Sequence, residues 1–302
     1  MDYFDLQVNG YAGVDFCSSK LTLAECRSAG EALRADGIGS FLVTLITDEI
    51  SSLESKLSRW VGFLEEDELL SEWVAGFHLE GPFISPRDGF VGAHAAESVV
   101  PANVERARRL IDAGEGRVKL VTLAPEWDEK AETTRFLASQ GITVSAGHCD
   151  PDLETLQRSI DEGLSMVTHL GNGCPVMLPR HDNFIQRALS LSEALWFSFI
   201  PDGIHVPWFA LENMIALVGR EKTIMTTDAI MAAGLSPGSY ELSGFPVEID
   251  HQGVARRPGS SNFAGSTLRG FQVPENLREK LGFSQSEIQK VYQENPRQAL
   301  GL

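Results

Sequence analysis

The chain has 302 residues, 43% of them hydrophobic, with 42 Asp and Glu against 25 Lys and Arg and a formal net charge of −17. That length carries a substantial core, as one large α/β domain or two ordinary ones. The acidic excess repels polyanions, which sets nucleic acid and anionic membranes aside as partners and leaves room for a small anion only at a local Arg or a set of backbone N–H groups.

Phe4 to Val8 reads as a short apolar strand, and Thr22 caps an amphipathic helix through Leu33. The alternation then repeats. Ser40 to Ile46 is a β-rich run and Ser51 to Leu70 has helical spacing; Val74 to Leu79 is a third strand, followed by a long Gly-rich loop through His94 and a helix from about Asn103 to Ile111. Val118 to Leu123 precedes a helix over Lys130 to Ser139, Ile142 to Ala146 one over Leu153 to Ile160, and Met166 to Thr168 one near Phe184 to Leu191. Leu195 to Ile200 leads into Trp208 to Leu217, and Thr223 to Thr226 ends at Asp228. Continuous apolar strands alternating with amphipathic helices predict a parallel sheet covered by helices, and eight units in about 230 residues predict a closed α/β barrel of the (β/α)8 type. Tyr240 to Val254 reads as an antiparallel hairpin excursion. A loop from Ser261 to Ser266 then opens a helical tail, and residues 1–302 are expected to form a single catalytic domain.

The unusual polar residues fall in one kind of place. Gln7, Asn9, Glu80, His148, His169, Asp202, His205 and Asp228 sit at or just after the C-terminal ends of predicted strands, the face on which barrel enzymes build their sites. Glu80 closes the run Phe77-His78-Leu79 before Gly81-Pro82, and an ionised carboxylate there is costly unless it is paired or holds a metal. Two imidazoles and one carboxylate, His148, His169 and Glu80, supply three ligands and leave a fourth position open, the arrangement of a catalytic zinc. Taken singly, a strand-end Glu is more often salt-bridged and a lone His more often a hydrogen-bonded core residue; their shared position favours the joint reading.

Asp228 is placed to act as general base and then general acid toward a water and a leaving nitrogen, its alternative being a helix cap. His94, in the loop after the third strand, is placed to polarise a carbonyl oxygen. Cys17, Cys26, Cys149 and Cys174 form no CxxC pair and fit a reducing cytoplasm. Cys149 and Cys174 lie close in sequence to His148 and His169, but packed thiols are the expected reading. No basic n-region with a long apolar segment follows Met1, and no apolar run approaches membrane-spanning length, so a soluble, cytoplasmic protein is expected.

Asp5-Leu6-Gln7-Val8-Asn9-Gly10, His78-Leu79-Glu80-Gly81-Pro82-Phe83, Gly92-Ala93-His94, Ala146-Gly147-His148, Thr168-His169-Leu170 with Asn172, Asp202-Gly203-Ile204-His205-Val206, Thr227-Asp228-Ala229, Ala264-Gly265-Ser266 and Asn295-Pro296 occur in one order. That series resembles the N-acetylglucosamine-6-phosphate deacetylases of the amidohydrolase superfamily, from about residue 5 to the C-terminus. The resemblance implies a (β/α)8 TIM-like barrel of the metal-dependent hydrolase type. It also implies one divalent metal ion on Glu80, His148 and His169, with Asp228 as catalytic acid/base and His94 assisting. Zinc is the first expectation for the metal, with Fe2+, Mn2+ and Co2+ also accommodated. Substrate contacts are implied on Gln7, Asn9, Ala93, Asn172, Gly173, His205, Phe263, Ala264 and Gly265.

Arg180 stands where the family carries a phosphate-binding Arg, sometimes donated across a homodimer; an Arg fork suits phosphate. Many amidohydrolases bind a second metal at His-x-His on strand one. Gln7-Val8-Asn9 replaces it here, and neutral amides are poor zinc ligands, so one metal per chain is expected. The chain departs from the family pattern in Gly171 beside the last ligand, in Gly173-Cys174, and in His181-Asp182 after Arg180, and it is expected to lack the accessory small β-sandwich. The expected activity is hydrolysis of the acetamide of N-acetylglucosamine 6-phosphate. The alternatives are a related amidohydrolase acting on another N-acyl or cyclic amide substrate and a non-catalytic sugar-binding paralogue.

Overall fold

In the computed structural model, which describes residues 2–259 and 262–302, the eight apolar runs form one parallel sheet. Its strands are β1 (Tyr3–Val8), β2 (Ile38–Ile46), β3 (Val74–Glu80), β4 (Val118–Leu123), β5 (Thr143–Ala146), β6 (Leu164–Val167), β7 (Trp196–Phe199) and β8 (Thr223–Met225). They lie in sequential order from β1 to β8. The last strand returns to the first just beyond β8: Ala229 bridges Val8, and the Ala229 carbonyl accepts the N–H groups of Asn9 (2.7 Å) and Gly10 (3.2 Å). Asp5 staples this seam, accepting from the Thr226 hydroxyl (2.5 Å), the Thr227 N–H (3.0 Å) and the Tyr292 hydroxyl (3.0 Å).

Helices cover the outside because each presents one apolar stripe. They are α1 (Leu23–Ala35), α2 (Ile50–Glu66), α3 (Glu68–Trp73), α4 (Val104–Ala113), α5 (Glu132–Ser139), α6 (Leu153–Asp161), α7 (Phe184–Leu189) and α8 (Trp208–Val218), with α9 (Gln272–Leu281) opening the helical tail. The expected cap at Thr22 is a full capping box with Glu25. Two expected helices are corrected. The stretch Ser51 to Leu70 breaks at Asp67, whose carboxylate accepts the Leu70 N–H (2.9 Å) and starts α3 as a new helix. Lys130 and Ala131 hold left-handed backbone (φ 53° and 55°), so α5 begins only at Glu132.

The expected hairpin is a three-stranded antiparallel sheet of β9 (Gly238–Leu242), β10 (Phe245–Ile249) and β11 (Ala255–Arg256). Ser243 and Gly244 turn it with φ of 50° and 88°, the positive pair that a tight two-residue hairpin requires. Ser261, first residue of the loop expected before the tail, lies outside the described residues.

The barrel interior is layered. Phe4, Leu6, Leu42, Leu120, Met166 and Ile224 form an apolar floor with Leu300. Two residues further along their strands, where side chains return to the same face, Thr44, Thr122 and Thr168 follow Leu42, Leu120 and Met166. With His78, Ser145 and Ser198 they make a buried polar layer. Above that layer the strands end, and the site begins.

Candidate active site

Glu80, His148 and His169 come from β3 and from the turns after β5 and β6, and each is buried. Glu80 Oε1 lies 3.1 Å from His148 Nε2 and 2.7 Å from His169 Nε2, and the three atoms lie within 4.8 Å of one another. His148 Nδ1 faces the Phe90 carbonyl at 2.8 Å. Donating there leaves the lone pair of the neutral ring on Nε2, opposite a carboxylate oxygen, and that opposition calls for a proton or a cation between the two. The donor set of two imidazoles and one carboxylate therefore fits a divalent metal ion. Among the described residues this is the only group of its kind, and neither Cys149 nor Cys174 joins it.

Burial alone would push the Glu80 carboxyl up, but the hydrogen bonds and charge of His148 and His169 outweigh it and hold Glu80 well below the usual carboxylate range. For His169 burial opposes charging, and the Glu80 contact with the nearby Asp228 charge reverses the sign, so its pKa is raised. His148, His169 and Asp228 all hold positive φ (52°, 32° and 49°), a region that non-glycine residues enter rarely and that clusters at functional sites.

Asp228 faces this group from the end of β8. No helix starts there, so the cap alternative is not realised. Its Oδ1 accepts the Asn9 side-chain amide at 2.7 Å. Burial, aided by the Glu80 charge and opposed by His169, His205 and the Asn9 bond, pushes its pKa up to about 7. A register shift in β1 between Asp5 and Val8 explains why Asn9 meets Asp228 although Phe4 and Leu6 point to the floor. His94 Nδ1 lies 2.8 Å from the Thr47 hydroxyl and accepts the Thr47 N–H (3.4 Å), which leaves its proton on Nε2, 3.9 Å from Glu80 Oε2. Burial, with the neighbouring His148, drives the His94 pKa down to about 3, so the ring is a neutral donor.

These side chains line one cavity of about 320 Å³. Of the residues expected at the site, Asn9, Glu80, Ala93, His94, His148, His169, Asn172, Gly173, His205, Asp228, Phe263, Ala264 and Gly265 all line it. His205 is held by Asp202 (2.6 Å) and packs on the Phe263 ring, centroids 4.6 Å apart. The Ser266 N–H, donating to the Asp228 carbonyl (3.0 Å), pins the 263–265 loop beside Asp228. Two expected contacts do not line the cavity. Gln7 is fully buried, and both its amide atoms lack a hydrogen-bond partner among the described residues. Arg180 is exposed on the loop that leads to α7. The sequence reading also missed the apolar wall of Ile46, Pro175, Val176, Leu178, Ile185 and Leu242, because apolar residues carry no signal that separates a pocket wall from core. Gly173 was expected as a contact, and geometry adds a reason for it: a Cβ there would sit 2.9 Å from His148 Nδ1.

No protein-family model matches the chain. It is 32% identical over 300 residues to N-acetylglucosamine-6-phosphate deacetylase of Bacillus subtilis, covering 99% of this chain and 74% of that one. It is 29% identical to N-acetylgalactosamine-6-phosphate deacetylase of Escherichia coli O157:H7, covering 99% and 77%. Among solved structures, a mutant N-acetyl-D-glucosamine-6-phosphate deacetylase of Mycobacterium smegmatis in complex with N-acetyl-D-glucosamine-6-phosphate superposes with a TM-score of 0.90 at 28% identity, over 100% of this chain and 77% of that one. The corresponding enzyme of Thermotoga maritima gives 0.87 at 27% identity, over 99% and 78%.

Proposed function

The chain belongs to the N-acetylglucosamine-6-phosphate deacetylase family, and from that premise we propose how it hydrolyses the acetamide of N-acetylglucosamine 6-phosphate to glucosamine 6-phosphate and acetate. The supporting observation is the convergence of Glu80 Oε1, His148 Nε2 and His169 Nε2 in one cavity with His94 and Asp228. These three side chains would hold one divalent cation per chain, zinc first by donor type, with Fe2+, Mn2+ or Co2+ also served. When bound, such a cation polarises the amide carbonyl and lowers the pKa of water at its open position.

The chain's own groups then move the protons. Asp228, with Oδ1 tied to the Asn9 amide, keeps its other oxygen free to take the proton of the attacking water and to return it to the departing amine nitrogen. A carboxyl whose pKa lies near the working pH does both. His94, neutral with its proton on Nε2, donates to the carbonyl oxygen as negative charge develops there. The Phe263–Gly265 loop, Ala93 and Asn172 fix the sugar.

Among the described residues, no Lys or Arg lines the cavity. The phosphate would therefore be received by His205, steadied by Asp202, by backbone N–H groups near Asn172 and Gly173, and by Arg180 from outside the rim, where a homodimer would supply it from a second subunit. We also take residues 1–302 as one barrel unit. No helix among the described residues is long and apolar enough to cross a membrane. Four free cysteines suit a cytoplasmic location.

The test is acetate release by metal-reconstituted protein from N-acetylglucosamine 6-phosphate, its galacto epimer and the unphosphorylated sugar. The phosphorylated gluco substrate is expected to turn over fastest. Stoichiometric metal with no acetate from any of the three would refute the reading.

A further inference from the structure

Barrel interiors are usually filled with branched apolar side chains. The middle layer of this one is polar, and its members bond to one another. His78 Nε2 lies 2.8 Å from the Thr122 hydroxyl, Thr122 Oγ1 lies 2.8 Å from Thr168 Oγ1, and Thr168 Oγ1 lies 2.6 Å from Ser145 Oγ. At the other end the second ring nitrogen of His78 faces Thr44 Oγ1 at 3.4 Å, which accepts the Val8 N–H at 3.1 Å. The line crosses from β2 through β3 and β4 to Thr168, just after β6, and ends on Ser145 of β5, and every side chain in it is buried.

Each converging side chain of the site stands on this line. His78 precedes Glu80 by two residues, on the same face of β3. Thr168 is bonded to His169 in the chain, and the His169 N–H donates to the Ser198 hydroxyl of the same layer at 2.7 Å. Gly147, the residue before His148, has no room for a Cβ, which would meet Thr122 Cγ2 at 2.7 Å and Thr168 Cβ at 3.0 Å. The turn that carries His148 is thus seated directly on two members of the line.

We infer that His78, Thr122, Thr168 and Ser145 are positioning residues, a hydroxyl line that fixes Glu80, His148 and His169 relative to one another. This rests on the metal reading of those three side chains. A neutral imidazole has one donor and one acceptor, so it continues a line of hydroxyls that apolar side chains of equal volume would interrupt. Outer partners that orient ligands typically set metal affinity by 10–100-fold, and the line acts on all three ligands.

The experiment measures zinc dissociation constants of apo protein by competition with a chromophoric chelator, alongside the melting temperature of the same apo samples. Thr122→Val and Thr168→Val keep the shape and delete the hydroxyl; Thr122→Ser and Thr168→Ser keep the hydroxyl. The valine variants are expected to bind zinc about 10–100-fold more weakly, and the serine variants to stay near wild type. Unchanged zinc affinity in folded valine variants overturns the inference, whatever their melting temperature, and so does equal weakening in the valine and serine pairs. If the valine variants do not fold, Ser145→Ala at the end of the line decides, with weaker zinc binding expected and unchanged binding overturning. Failure of the wild-type protein to bind zinc would instead remove the metal reading itself.

Discussion

Glu126, in the short turn Pro125–Trp127 after β4, gives a stability prediction with a definite sign. Its Oε1 accepts the Asp150 N–H at 2.7 Å, two residues beyond His148, while its Oε2 is buried without a hydrogen-bond partner among the described residues. Burial, with a smaller push from the Asp150 charge and a partial offset from the Asp150 N–H and Arg87, raises its pKa from 4.5 to about 7. The folded state therefore holds this proton more tightly than the unfolded chain. Below pH 4.5 the group adds no penalty; between 4.5 and 7 the penalty grows, and above 7 it is complete at about 3 kcal/mol. Glu126→Gln keeps an acceptor for the Asp150 N–H and removes the charge. The variant is expected to melt about 6 °C above wild type at pH 8, at roughly 2 °C per kcal/mol in a chain of this size, and at the same temperature as wild type at pH 4.5. Melting curves from pH 4.5 to 8.5 check this. An equal gain at both ends, or none at pH 8, would show that Glu126 ionises freely and that the burial argument fails.

Asp228→Asn keeps the volume and removes the proposed proton carrier, so single-turnover acetate release should fall about 10³-fold or more, with metal content unchanged by elemental analysis. Gly173→Ala forces a side chain onto left-handed backbone (φ 62°) and against His148 Nδ1. Weaker zinc binding by about tenfold in a chelator titration is the expected result, and wild-type affinity would show that the His148 ring yields freely.

The converging residues were legible because each interrupts an apolar run at a strand end: Glu80 after Phe77-His78-Leu79, His148 after Val144-Ser145-Ala146, His169 after Met166-Val167-Thr168. The placement of Gln7 and Arg180 was not. Gln7 sits within the β1 register shift, which period-two alternation cannot anticipate, and Arg180 lies in an irregular loop whose path no periodicity constrains. The break at Asp67 had a signal, a good cap residue before Glu68, masked by helical spacing that continues through Leu70. The left-handed pair at Lys130 and Ala131 had none, since neither residue type favours it. The hydroxyl line was invisible for a different reason. Thr44, Thr122 and Thr168 are ordinary β-formers in their own strands, and only a closed barrel brings their hydroxyls within 3.4 Å of a polar partner on another strand.

Left-handed backbone at three non-glycine residues costs on the order of 1–3 kcal/mol each, and the structure indicates what sustains it. Each strained residue is tied from a different part of the chain: His148 through Nδ1 to the Phe90 carbonyl, His169 through its N–H to Ser198, and Asp228 through its carboxylate to Asn9 and its carbonyl to the Ser266 N–H. A single helix or hairpin could not supply these ties, because they come from the loop after β3, from β7, from the end of β1 and from the loop before α9. The strain is therefore held only once the barrel has closed. Closure in turn depends on the Ala229 bridge to Val8, one residue from Asp228 on one side and one from Asn9 on the other. The contact that completes the sheet is thus the same one that brings Asp228 to its amide partner, so a fold that fails to close would also lack the geometry on which the proposed proton transfer depends.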